Sequence, residues 1–106
     1  MREINLIQCK KNNSKVLSGR DIGSKWRKNF RLDNLDLTDD IVRIIVPDEL
    51  YSINISFFLG LFGQSVRNLG KDKFKEKYNF ECDEFLEKNI DRYIDKALRI
   101  SDIMKG

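Results

Sequence analysis

"IVRIIVPDELYSINISFFLGLFGQSVRNLG" (41–70) decides how this chain is read. Its first six residues are almost continuously apolar and β-branched, interrupted only by Arg43, which marks a strand. Such a run predicts burial on both faces, as in the central strand of an α/β sheet, and Pro47 ends it. From Tyr51 the chain reads as a strand exit, a short polar lead-in and a very apolar helix over about 55–69, with Gly70 as its C-cap.

That helix is unusual in its small residues. Ser56, Gly60, Gly63 and Arg67 fall at i, i+4, i+7 and i+11, on one helical face. Each glycine costs about 1 kcal/mol against alanine in a helix interior, so a close backbone approach must compensate. The approaching element is either the domain's own sheet or a neighbouring helix, or a partner chain. Ile55, Phe58, Leu59, Phe62, Val66 and Leu69 make the core face, while Phe57 and Leu61 lie off it. The helix is therefore either buried between layers or exposes an apolar patch for binding.

Working outward, "REINLIQC" (2–9) predicts a strand, "KKNNS" (10–14) a turn with Asn12 and Asn13 at its apex, and "KVL" (15–17) a short hairpin partner. "SGRDIGSKWRKNF" (18–30) opens with turn chemistry and becomes a helix with Ile22, Trp26 and Phe30 on one face. Residues 31–40 are a polar connection. "KDKFKEKY" (71–78) adds a helical turn and "YNFEC" (78–82) an edge strand. Asp83 caps the last helix, whose face runs through Leu86, Ile90, Tyr93, Ala97, Ile100 and Met104. The expected architecture is one α/β domain over 1–106, a mixed sheet of about four strands with three helices packed on it.

Composition excludes several chemistries. There is no histidine, which removes Ser-His-Asp triads, Cys-His pairs and mixed-ligand zinc sites. The two cysteines, Cys9 and Cys82, form no CxxC. No signal-peptide pattern opens the chain, so reduced, buried thiols and a cytoplasmic location are expected. No apolar run is long enough to span a membrane. Asp33, Asp36, Asp39, Asp40, Asp48 and Glu49 have no calcium-loop register, so neither a metal nor a cofactor is expected, and no catalytic residue is assigned.

Two sets of candidate site residues remain. Twenty basic against seventeen acidic residues give a net charge of +3, with no block of like charge. The nearest basic cluster lies around the first helix, where Ser18, Arg20, Lys25, Arg27 and Arg31 are candidate contacts to an anion or to nucleic acid. The glycine stripe with its apolar neighbours supplies the other set. Ser56, Phe57, Gly60, Leu61, Gly63 and Arg67 are candidate interface residues, and Ser56, in the first turn, is a candidate phosphorylation position.

Three segments, "SGRDIG" (18–23), "IVRIIVPDELYSINISFFLGLFG" (41–63) and "LGKDKFKEKYNFEC" (69–82), together resemble the STAS-like domain family of unknown function, related to the sulphate-transporter and anti-sigma-factor-antagonist domains. The resemblance covers roughly residues 15–82. It implies a mixed sheet covered by helices and a non-catalytic regulatory role exercised through a partner protein, often under a kinase. Relatives carry Asp-Ser-Ser-Gly at the start of the helix, with a phosphorylated serine. Here the matching residues are Asn54, Ile55, Ser56 and Phe57, so the serine is kept while the acidic residue and the glycine are replaced. Two alternatives stand beside this reading: a small mobile-element or phage protein that blocks a bacterial defence enzyme by surface binding, and a nucleic-acid-binding regulator.

Overall fold

The computed structural model describes the backbone of residues 2–10 and 14–105, and side chains within these as far as residue 99. The expected turn apex at Asn12 and Asn13 lies outside the described residues. The elements in order are β1 (Arg2–Asn5), a 3-10 turn (Leu6–Cys9), β2 (Val16–Leu17), α1 (Arg20–Phe30), α2 (Leu32–Leu35) and β3 (Val42–Ile45). Then follow β4 (Ser52–Ile53), α3 (Ile55–Leu69), α4 (Lys71–Lys77), β5 (Tyr78–Glu81) and α5 (Glu84–Lys105).

The α/β class is as expected, but the sheet is not the expected mixed one of about four strands. Five short strands form two sheets, β1-β3-β5 and β2-β4, and every pairing is parallel. Five helices are present among the described residues rather than three. The hairpin fails because β1 ends early. Asn5 Oδ1 accepts the Ile7 N–H at 3.0 Å and turns the chain into the 3-10 segment. Val16 and Leu17 then pair in parallel with Ser52 and Ile53 instead.

β3 is the central strand, with Val42 and Ile44 fully buried. Only one face of its sheet is covered, contrary to the expectation of burial on both. Ile4, Val42, Ile44 and Tyr78 point into the core. The other face carries Arg43, whose Nη1 donates to Glu3 at 2.9 Å and whose Nε donates to Glu81 at 2.9 Å. That lone charge in the apolar run is the residue that keeps its face in water.

α3 begins and ends where the sequence expects. Asn54 Oδ1 caps the Ser56 N–H at 2.9 Å, and Gly70, at φ 82°, closes the helix through its N–H to the Val66 carbonyl. Phe57, Phe58, Leu61, Phe62 and Val66 are all buried, so the helix lies between layers. Its aromatic side continues into Phe74, Tyr78 and Phe80, with Phe62 within 5.5 Å of each ring centroid. Asp83 Oδ1 caps α5 by accepting the Leu86 N–H at 2.9 Å. Leu86, Ile90, Ile94 and Ala97 face the core, and Tyr93 donates its hydroxyl to the Ile53 carbonyl at 2.9 Å. The side chains of Ile100 and Met104 lie outside the described residues.

Candidate functional site

The glycine question is answered where α1 crosses α3. A Cβ on Gly60 would overlap the Arg20 carbonyl oxygen and stand 2.9 Å from the Ser24 nitrogen. A Cβ on Gly23 would overlap the Phe57 carbonyl oxygen and stand 2.9 Å from the Leu61 nitrogen. The two glycines therefore face each other's backbones, and neither position has room for any side chain. Gly63 differs: its nearest neighbour is Arg67 Nη1 at 3.3 Å, the mobile end of a side chain. Gly60 is thus an internal packing residue. Phe57 and Leu61, read as candidate interface positions, are at most 1 % exposed and belong to the core.

The same crossing internalises an arginine. Arg27, read as a candidate nucleic-acid contact, is turned inward rather than towards solvent. Its Nη1 donates to the Leu61 carbonyl at 3.0 Å and to Ser65 Oγ at 2.8 Å. Its Nη2 pairs with Asp36 at 3.0 Å and with Asp33 at 2.6 Å. Asp36 is buried in turn, accepting from Ser65 Oγ at 2.8 Å and from the Tyr78 hydroxyl at 2.6 Å. Every donor and acceptor in the group has a partner, which is the condition for tolerating a buried charge pair. Burial first, then the bond to Asp36, pushes the Tyr78 hydroxyl well above its ordinary value. Glycine at position 23, one turn before Arg27, lets α3 approach closely enough for Leu61 and Ser65 to meet the guanidinium. The sequence signal for this network is faint: Ser65 sits among the polar Gln64, Arg67 and Asn68 of α3, and nothing local pairs it with Asp36, 29 residues away.

On the solvent side of the crossing lies a cleft of about 430 Å³, lined by Arg20 and Ser24 from α1 and by Leu59, Gly60, Gln64 and Arg67 from α3, with Arg27 and Asp33 beside them. Two stripes one turn apart meet there, Arg20–Ser24–Arg27 and Gly60–Gln64–Arg67. The fold thereby joins two residues of the basic cluster, Arg20 and Arg27, with two of the small-residue stripe, Gly60 and Arg67. Lys25 and Arg31 are exposed and do not line this cleft, and Arg31 instead terminates α1 in a left-handed conformation at φ 57°. Ser18 is exposed on a separate groove with Cys9, Val16 and Phe57. Partial burial, then repulsion from Arg20 and Arg27, lowers the Arg67 guanidinium from its ordinary value.

Ser56 occupies a third position, at the β4–α3 turn. Its Oγ accepts the Gly19 N–H at 3.1 Å and donates to Asn54 Oδ1 at 2.7 Å. The start of α1 and the start of α3 are therefore bridged through one hydroxyl. Beside this turn, Tyr51 is 64 % exposed with Lys15 Nζ 4.8 Å above its ring, and Val16 is exposed on β2.

Among the described residues no three cysteines, aspartates or glutamates converge as a metal-binding group, and no helix is long and apolar enough to cross a membrane. The chain matches no family model, no curated protein and no solved structure.

Proposed function

We propose that this chain is a STAS-like regulatory module that acts by contact with a partner protein rather than by chemistry on a substrate, and that the β4–α3 turn is its switch. The observation that carries the reading is the double engagement of Ser56, whose hydroxyl holds both the Asn54 cap and the Gly19 amide at the head of α1. A phosphoryl group on this oxygen would meet the positive end of a fifteen-residue helix. It would also displace the Asn54 side chain from Oγ and take over the Gly19 N–H. The modified and unmodified forms would then differ in how α1 is held to α3.

The surface beside the turn supports the partner half of the reading. Tyr51 and Val16 are exposed large hydrophobics next to it, and exposed aromatics are the residues that anchor protein interfaces. Affinity capture from the native host with wild type, Ser56→Glu and Tyr51→Ala tests the proposal, with circular dichroism to verify folding. A defined partner held by wild type and lost from both variants is the expected result. Identical captured proteins for all three folded forms would reject the turn as the contact surface.

A further inference from the structure

Arg20 and Arg67 approach one another from different helices, and neither has a carboxylate within ion-pair distance among the described residues. Their like charges repel, and this repulsion adds to burial in lowering the Arg67 guanidinium. Arg27 does not relieve this repulsion, and its own charge is already matched by Asp33 and Asp36. Ion pairs do form elsewhere on the surface, Lys71 with Asp95, Lys75 with Asp91, and Arg43 with Glu3 and Glu81, while many exposed lysines and arginines have none among the described residues. What sets Arg20 and Arg67 apart is position: two unpaired guanidinium groups from different helices line one concave cleft.

We propose that the α1–α3 cleft binds a phosphate group, with Arg20 and Arg67 as its two clamps, Ser24 and Gln64 as neutral hydrogen-bonding walls, and the lining carboxylate, Asp33, taken up by Arg27. Guanidinium is the side chain best suited to this ligand, because its planar donors pair with two phosphate oxygens at once. The glycine crossing matters here too. Gly60 lines the cleft, and its lack of a side chain lets α1 lie directly against α3, which sets the two arginine-bearing helices side by side. The volume of about 430 Å³ exceeds what a single phosphate needs and accommodates the small group that carries it. The proposal does not depend on Ser56 or on the partner-switch reading, since the cleft and the β4–α3 turn share no lining side chain.

Two sources supply this chemistry, free phosphate and a phosphorylated side chain. Calorimetric titration at constant ionic strength with inorganic phosphate, and separately with a short neutral peptide bearing one phosphoserine, distinguishes them. Saturable one-to-one binding is expected for at least one probe, weakened tenfold or more in Arg20→Gln and in Arg67→Gln. Lys96→Gln on α5 removes the same charge elsewhere and should leave affinity within twofold. Tighter binding of the peptide identifies a phosphorylated side chain, and no preference identifies free phosphate. The proposal is overturned by the absence of saturable binding at tens of millimolar of either probe, a range in which even contacts worth about 3 kcal/mol register. An equal loss in Lys96→Gln overturns it as well. So does preferential binding of duplex DNA that falls steeply with salt and depends on Lys25 and Arg31 rather than Arg67.

Discussion

Alanine at Gly60 and alanine at Gly63 lie less than one helical turn apart on α3 and should shift stability in opposite directions. At position 60 the added methyl meets backbone atoms on α1: it overlaps the Arg20 carbonyl oxygen and lies 2.9 Å from the Ser24 nitrogen and 3.1 Å from the Arg20 carbonyl carbon. None of these can rotate away, so α1 must slide off α3 by about an ångström, and overpacking of this kind costs about 1–3 kcal/mol. The slide also pulls Arg27 from the Leu61 carbonyl and Ser65. Losing alignment in buried, charge-assisted hydrogen bonds adds about 1–3 kcal/mol. Helix propensity returns about 1 kcal/mol. The net expectation for Gly60→Ala is a loss of about 1–5 kcal/mol, a large part of the about 5–15 kcal/mol that holds a domain folded. At position 63 the methyl meets only Arg67 Nη1 at 3.3 Å, which can swing aside, so Gly63→Ala keeps a propensity gain of up to about 1 kcal/mol. Urea denaturation reads both, since a slope of about 1–3 kcal/mol per molar converts these values into midpoints displaced to either side of wild type. Midpoints that move the same way, or an unchanged Gly60→Ala, would refute the account of the crossing.

The buried polar network gives a second contrast. Asp36→Ala leaves Arg27, Ser65 and Tyr78 short of an acceptor and should cost about 3–5 kcal/mol. Tyr78→Phe removes a single donor and should cost about 1–2 kcal/mol, so equal losses in chemical denaturation would contradict a cooperative group. Asp83→Ala removes the α5 cap and should lower stability by about 1 kcal/mol, seen as a lower urea midpoint. Alkaline pH should destabilise the protein. Burial pushes the Cys9 thiol from 9.0 up to about 12, and burial with Glu87 and Asp83 pushes Cys82 up to about 11. The folded form then retains protons that the unfolded chain has released, so stability is whole below pH 9.0 and falls as pH rises towards about 11 and 12. Urea midpoints measured across that window check the sign, and a midpoint that rises with pH would contradict it.

The elements legible in the sequence are those whose signals are local. Asn54 and Gly70 bound α3, Asp83 starts α5, and the β-branched run of 41–46 makes the central strand, because caps and strand propensity act within a few residues. The pairing of β2 was not legible, since Val16 and Leu17 find Ser52 and Ile53 rather than the neighbouring β1, and strand partnership is a choice between distant segments. Arg27 was misread for a related reason. A basic residue on a helix with other basic residues looks solvated until the fold delivers Asp36, Ser65 and the Leu61 carbonyl to it. The small-residue stripe was half legible. Its spacing shows a close approach, but only the Gly23 partner shows that the approaching backbone is the chain's own.

The Arg27 network also has a place in time. Its bonds join residues separated in sequence by 9, 34, 38 and 42 positions, and it closes only once α1, α2, α3 and β5 have all arrived. A half-assembled core would hold a guanidinium or a carboxylate without its partner, which is a costly arrangement away from water. The network therefore belongs to the far side of the folding barrier and contributes little to reaching it. Weakening it through Ser65→Ala should leave the folding rate nearly unchanged and accelerate unfolding. An unfolding rate that rises while the folding rate holds would make the ion pair a latch on the finished fold, setting how long a folded molecule stays folded rather than how fast it forms.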